Sequence, residues 1–412
     1  MSKFKYRCID CGKEYSGEET MYLCPDCSAT NSTDLPPKGI LKTVYNYSKI
    51  KSQIAGFNDL KDKGFIDLLP IKSLESLPVL KVGNTPLYQF EDIDGEKLTF
   101  DLYFKDDSQN PTFSFKDRAS AVVSAYAKEK GYNTIVAAST GNAGSSLAGL
   151  CAAQGQKAII MVPEAAPIAK LTQIIMYGAT IVPVKGTYDD AFDLSIKATE
   201  EFGWYNRNTA FNPFTIEGKK TVSFELFEQM GSKIPDRVFV PVGDGVIISG
   251  VYKGFEDLLE LGIIEKMPII VMVQSKGSDN IVRNMESETF HIKSSNTIAD
   301  SISVDIPRNF YLAKQFIEKY KGEYITVSDD QILQASQILS RNTGIFAEPA
   351  ATTAFAGLLT YKQNNKLNAS SQNVVLLTGS GLKDLKSINK LLDIPESVKP
   401  DTNSLKKFFS KK

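Results

Sequence analysis

Apolar positions in this chain follow two periods that alternate along most of its length. Continuous apolar runs recur: TIVAAS at 134–139, KAIIMVP at 157–163, TIVPV at 180–184, RVFVPVG at 237–243, PIIVMVQ at 268–274 and NVVLLTG at 373–379. Unbroken runs of this kind suit strands buried on both faces of a parallel sheet. Between them the spacing turns helical, as in AVVSAYAKEKG just after Ala119 and at 142–154, 168–177, 189–202, 216–230, 248–261, 329–342 and 350–362. Gly178 and Gly203 close two of these runs, as glycine does where a helix ends left-handed. Such alternation predicts an α/β fold with parallel sheets. In that architecture ligands bind beyond the carboxyl ends of the strands. Residues 35–82 lack the alternation and read as a linker or arm.

One helix begins oddly. Asn110-Pro-Thr-Phe-Ser-Phe-Lys-Asp-Arg-Ala-Ser120 passes from a proline turn into a helical run, which puts Lys116 where a loop becomes a helix. Helix N-termini disfavour positive charge, so the position nudges this lysine towards its neutral, nucleophilic amine.

Three more loops share this setting. Ser139-Thr-Gly-Asn-Ala-Gly144 follows a strand and opens a helix. Pro241-Val-Gly-Asp-Gly-Val-Ile247 does the same and has the shape of a phosphate cradle: successive N–H groups at a positive helix end. It lacks the Walker lysine, and Ile248 breaks a GxGxxG pattern. Thr378-Gly-Ser-Gly-Leu-Lys-Asp384 follows the last strand. Each alone is a common tight connection. Together with a lysine at a helix start they suggest one phosphate, one amine and short polar groups around a flat ligand. Pyridoxal phosphate fits, since its aldehyde needs a lysine amine and its phosphate an anion nest.

The cysteines add a separate module. Cys8 and Cys11 form one CxxC pair, Cys24 and Cys27 another. Two such knuckles give the tetrahedral sulfur set that zinc prefers, and a four-cysteine site is closed to substrate, so it should stabilise rather than catalyse. Cys151 lies in a small-residue helix and reads as a buried thiol.

Composition narrows the functions left. Net charge is −1, from 47 basic and 48 acidic residues among 412, which argues against a general nucleic-acid or anionic-membrane surface. The start of the chain has no apolar signal region and no run is long enough to span a membrane, so a soluble cytoplasmic protein is expected. A single histidine, His291, leaves little room for histidine-based catalysis and reads as structural. A lysine base is the economical alternative.

The motifs resemble those of the threonine synthase family, within the fold-type II (tryptophan synthase β-like) pyridoxal-phosphate enzymes. The resemblance spans about 83–385 and rests on Gly83-Asn-Thr-Pro-Leu87, Asn110 to Arg118, Ser139 to Asn142, Asn212 to Thr221, Ala347-Glu-Pro-Ala350 and Leu377 to Asp384. It implies two α/β domains with the cofactor between them. The larger would take 83–119 and 216–392, and the smaller, mobile one 120–215. An N-terminal zinc-ribbon-like segment (1–34), an arm (35–82) and a tail (393–412) complete the chain. Lys116 would bond to the cofactor's aldehyde. Asn142 would bond to its ring hydroxyl oxygen, Thr378 to its pyridine nitrogen, and Gly243, Asp244, Gly245, Val246 and Ile247 would hold its phosphate. Ser139 and Thr140 would face the substrate carboxylate, with Phe113, Ala143 and Thr215 near its side chain. The family converts O-phosphohomoserine and water to threonine and phosphate, with the freed lysine as proton shuttle, and is usually dimeric.

Four positions depart from the family pattern. Thr215 stands where an arginine often holds the substrate phosphate, Ala143 where threonine is common, and Phe113 where glycine is usual. Asp244 replaces a frequent asparagine and puts an anion beside a phosphate, unfavourable unless it turns away or caps the helix. Arg207, Lys219 and Lys220 are the candidate replacement cations. A sister fold-type II enzyme, such as a serine or threonine dehydratase or a β-replacement enzyme, is therefore an alternative. So is an inactive zinc-ribbon binding protein.

Overall fold

A computed structural model describes residues 2–410 and shows thirteen strands among them. β1 (Phe4–Cys8), β2 (Glu14–Ser16) and β3 (Leu41–Tyr45) form a small antiparallel sheet, order β2-β1-β3. Six more strands make the main sheet: β4 (Leu87–Ile93), β5 (Glu96–Asp106), β10 (Arg237–Pro241), β11 (Ile269–Ser275), β12 (Glu323–Val327) and β13 (Gln372–Leu377), in the order β12-β11-β10-β13-β5-β4. The four-stranded sheet holds β6 (Thr134–Ala138), β7 (Lys157–Pro163), β8 (Thr180–Val184) and β9 (Tyr205–Asn206), in the order β8-β7-β6-β9. All its pairs are parallel. The main sheet is parallel except at one edge, where β4 runs antiparallel to β5. The fold is thus α/β with one mixed sheet. No helix among the described residues is long and apolar enough to cross a membrane.

The continuous apolar runs are buried as their pattern requires: Val238, Phe239, Ile270, Met272, Val374 and Leu376 have no exposure. The helical stretch at 216–230 is two helices, Phe214–Lys219 and Thr221–Gln229, joined through Lys220. Periodicity passed over β4, β5 and β12, whose partly exposed faces break the apolar run. The segment at 35–82 is no free linker. It supplies β3, and Leu60, Leu68 and Ile71 lie wholly or nearly buried in the largest core cluster.

What fixes the Lys116 helix is a buried ion network. The Arg118 guanidinium takes Asp107 through Nε at 2.6 Å and Nη2 at 2.9 Å, a bidentate fork, and reaches Glu225 as well. Thr85 donates to Asp107 at 2.7 Å, and the Gly83 N–H donates to Asn110 at 2.9 Å. The GNTPL and NPTFSFKDR motifs are therefore joined to each other, and most of their polar residues serve the scaffold. Burial opposes charge on Glu225, but Arg118 and Lys105 outweigh it and hold that carboxyl down at about 2. A carboxyl depressed in the folded state contributes stability above its unfolded pKa and loses it as pH falls towards the folded one. Glu225→Gln should cost about 3–5 kcal/mol at neutral pH, measured by urea unfolding. The gap to wild type should shrink between pH ~4.5 and ~2, and a gap unchanged by pH would contradict this account.

Candidate active site

The carboxyl ends of β6, β10 and β13 converge, and the loop after β5 joins them. That loop is pinned to the loop after β13: the Phe115 N–H donates to the Thr378 carbonyl at 2.9 Å, and the Ser380 N–H to the Phe113 carbonyl at 3.1 Å. Lys116 opens the helix Lys116–Glu129, as its sequence setting implied. It projects into a cavity of about 460 Å³ that is also lined by Ser139 to Ala143 and Gly243 to Ile247. The predicted cofactor and carboxylate loops thus share one space with the lysine.

Four cations and four carboxylates line this cavity, but only Lys170 and Arg308 form ion pairs, with Asp300 and Asp189, and Lys116 and Lys219 form none with a described carboxylate. Burial lowers the Lys116 amine to about 8; the nearby Glu348 charge pulls against this and Arg207 adds to it. Lys219 is wholly buried on the cavity wall, and its Nζ has no hydrogen-bond partner. Lys220, next in the chain, is also buried but paired with Glu217 at 2.5 Å and Asp257 at 2.7 Å, so its role is structural. Asp244 turns its carboxylate onto the Arg308 N–H at 2.6 Å. This is the turning-away that an anion in a phosphate loop requires.

The helix Val246–Glu260 starts at Gly245, whose φ of +87° favours glycine. Its first-turn N–H groups have no intrahelical acceptors and face the cavity, which is what a phosphate needs. A Cβ on Gly243 would come within 2.8 Å of Ile302, so this glycine serves loop packing. The Asn142 side chain donates to Glu348 Oε1 at 2.9 Å and weakly to Ser301 at 3.4 Å. An amine of lowered pKa, an N–H nest and a buried amide around a cavity of this size fit pyridoxal phosphate. The phosphate would lie on Gly243 to Ile247 and the aldehyde at Lys116.

Not every predicted residue reaches this space. Phe113 is half exposed and does not line the cavity; its φ of +69° is a left-handed conformation that favours glycine. Thr215 is buried and donates to the Asn212 carbonyl at 2.8 Å, away from the cavity. Thr378 is buried and does not line the cavity; its carbonyl is the one that holds the Phe115 N–H. Sequence reasoning gave no role to Glu348, Ser301 or Arg308. Glu348 had a visible signal: an acidic residue directly before a proline that opens a helix, Pro349–Gln363.

In the N-terminal module the four sulfurs of Cys8, Cys11, Cys24 and Cys27 lie within 4.8 Å of one another. The Cys11 and Cys24 sulfurs are 3.9 Å apart. The edge of a zinc–thiolate tetrahedron is about 3.8 Å. The geometry fits one metal ion. The module also bears on the cavity wall: Phe4 and Tyr6 pack on Phe214 at 5.6 and 5.8 Å, and Tyr45 donates to Glu217 at 2.6 Å, on the helix that carries Lys219.

Comparison with known proteins supports this geometry. Residues 79–379 match the family described as pyridoxal-phosphate dependent enzyme. A threonine synthase of Methanocaldococcus jannaschii is 34% identical over 411 residues, 98% of each chain. One from Methanosarcina acetivorans is 33% identical over 414 residues, again 98% of each. Among solved structures, threonine deaminase isoform 2 of Solanum lycopersicum shares the fold with a TM-score of 0.67 at 22% identity, over 82% of this chain and 94% of that one. If the Lys116 amine titrates near 8, capture of pyridoxal phosphate by the apoprotein should speed up with pH and level off near that value. Stopped-flow absorbance would measure it, and a rate still rising past pH ~10, where free lysine titrates, would contradict it.

Proposed function

The chain belongs to the pyridoxal-phosphate dependent enzyme family, on its threonine synthase branch, and on that footing we propose that it converts O-phosphohomoserine and water to threonine and phosphate. The observation that carries this reading is the unpaired Lys219 on the cavity wall. One buried amine and one N–H nest suffice for the cofactor, yet the wall holds a further unpaired cation. Uncharged substrates of dehydratases or β-replacement enzymes would leave that cation without a partner.

When bound, the cofactor would supply an electron sink that acidifies the protons next to the substrate's amine-bearing carbon. The rest falls to this chain. Ser139 and Thr140, at the open start of the helix Asn142–Gln154, would orient the substrate carboxylate. Asn142 would exchange its bond to Glu348 for one to the ring hydroxyl. Lys116, once released, would take the proton from Cα and, after giving that proton up, take one from Cβ, with phosphate leaving from Cγ and water adding at Cβ. An amine poised near 8 suits a base working at neutral pH. Asp300 and Lys170, paired at 2.7 Å, and Asp189 with Arg308 bridge the mouth and would help exclude water.

Structural zinc in the N-terminal module is part of the same reading. Closed off from the cavity, it would hold the sheet against the Phe214–Lys219 helix.

Two outcomes follow. Purified enzyme should release phosphate from O-phosphohomoserine with matching threonine, and Lys116→Ala should lower kcat by a factor on the order of 10³ or more. Keto acid formed from serine or threonine, with O-phosphohomoserine untouched, would replace this function by a dehydratase. Elemental analysis should find zinc, and stripping it under denaturant should lower the melting temperature. Metal-free protein with an unchanged melting curve would remove the zinc.

A further inference from the structure

Lys219 and Arg207 are cations in excess of what the scaffold uses. Lys219 has no exposure, lines the cavity and leaves its Nζ without a partner. Arg207 is equally buried. Its Nε meets Ser120 at 3.2 Å and its Nη1 meets Thr209 at 2.9 Å, both neutral hydroxyls, and its Nη2 meets nothing. Neither residue forms an ion pair with any described carboxylate. An uncompensated buried charge is costly and in a stable fold marks a site awaiting its counter-ion. Burial, with Arg207 and Lys116 as like charges nearby, pushes the Lys219 amine well down, and the Asp244 charge, the one that opposes this, does not offset it. An arriving anion would reverse that.

A Cβ on Gly250 would come within 2.6 Å of the Lys219 Cβ, so a glycine there lets the backbone that carries Lys219 pack closely on the helix Val246–Glu260. Thr209 lines the cavity, accepts from Arg207 and keeps its own proton to donate. The N–H nest at 243–247 belongs to a different element and would be taken up by the cofactor's phosphate.

We propose that Lys219, backed by Arg207 through Thr209, anchors a phosphate on the substrate's side chain, a second anion site beside the cofactor's nest. The phosphorylated substrate rests on the function proposed above; the second anion site rests on the buried cations alone. Lys219 stands four residues after Thr215, one helical turn along, so it supplies from the next turn the charge that Thr215 lacks.

Two sources of phosphate, substrate and cofactor, separate experimentally. Inorganic phosphate binding to holoenzyme is followed through the cofactor's absorption or by calorimetry, and cofactor affinity by titrating apoprotein. Lys219→Met should keep cofactor affinity within about threefold and weaken inorganic phosphate by about tenfold or more. With O-phosphohomoserine, KM should rise more than kcat falls, and Lys219→Arg should restore most of both. Lys219→Arg also keeps the test open should the methionine variant fail to fold. Wild-type holoenzyme that ignores inorganic phosphate, or a Lys219→Met protein that loses cofactor affinity, would overturn the assignment. An enzyme inactive on O-phosphohomoserine that still binds phosphate through Lys219 keeps this site and discards that substrate.

Discussion

An amine must stay buried and easily deprotonated beside an anion nest, and the rest of the structure is arranged around that requirement. A lysine in water is protonated and useless as a nucleophile or base. Here enclosure by the cavity walls moves the Lys116 equilibrium to about 8, and no described carboxylate forms an ion pair with it to undo the shift. Such a position is stable only if the backbone that carries it cannot relax. The Arg118 fork to Asp107 and Glu225 supplies that rigidity two residues away, and the Phe115–Thr378 bond ties the loop to the main sheet. Chemistry at Lys116 and structure at Arg118 share the first turn of one helix.

Charge extends the same logic outward. Lys219 and Lys220 are neighbours in sequence, buried to the same degree, and have opposite fates. Lys220 is neutralised by Glu217 and Asp257 within the scaffold, whereas Lys219 faces the cavity bare. The N-terminal sheet bears on this contrast. Its Phe4, Tyr6 and Tyr45 hold the helix from which both lysines project. A structural metal in that sheet would therefore act on the site only through packing.

Much of this was legible from residue order. The buried parallel strands announced themselves as unbroken apolar runs, and the helix 142–154 matched its periodicity to the residue. Lys116, the three loops around it and the four cysteines were visible because each depends on local backbone chemistry. What escaped depends on distant partners. β4, the edge strand, and β5 beside it show mixed exposure, so neither period emerges. Thr215 and Phe113 look like pocket residues by position along the chain, but a hydrogen bond to Asn212 turns one inward and a left-handed backbone turns the other out. Nor could sequence tell Lys219 from Lys220, because only the fold decides which one finds a carboxylate.

The central claim is that Lys116 is the amine that holds the cofactor. Reducing holoprotein with borohydride and mapping its peptides by mass tests it most directly. The account predicts a phosphopyridoxyl group on the peptide bearing Lys116 and on no other. Modification at Lys219, or at another lysine with Lys116 untouched, would contradict it.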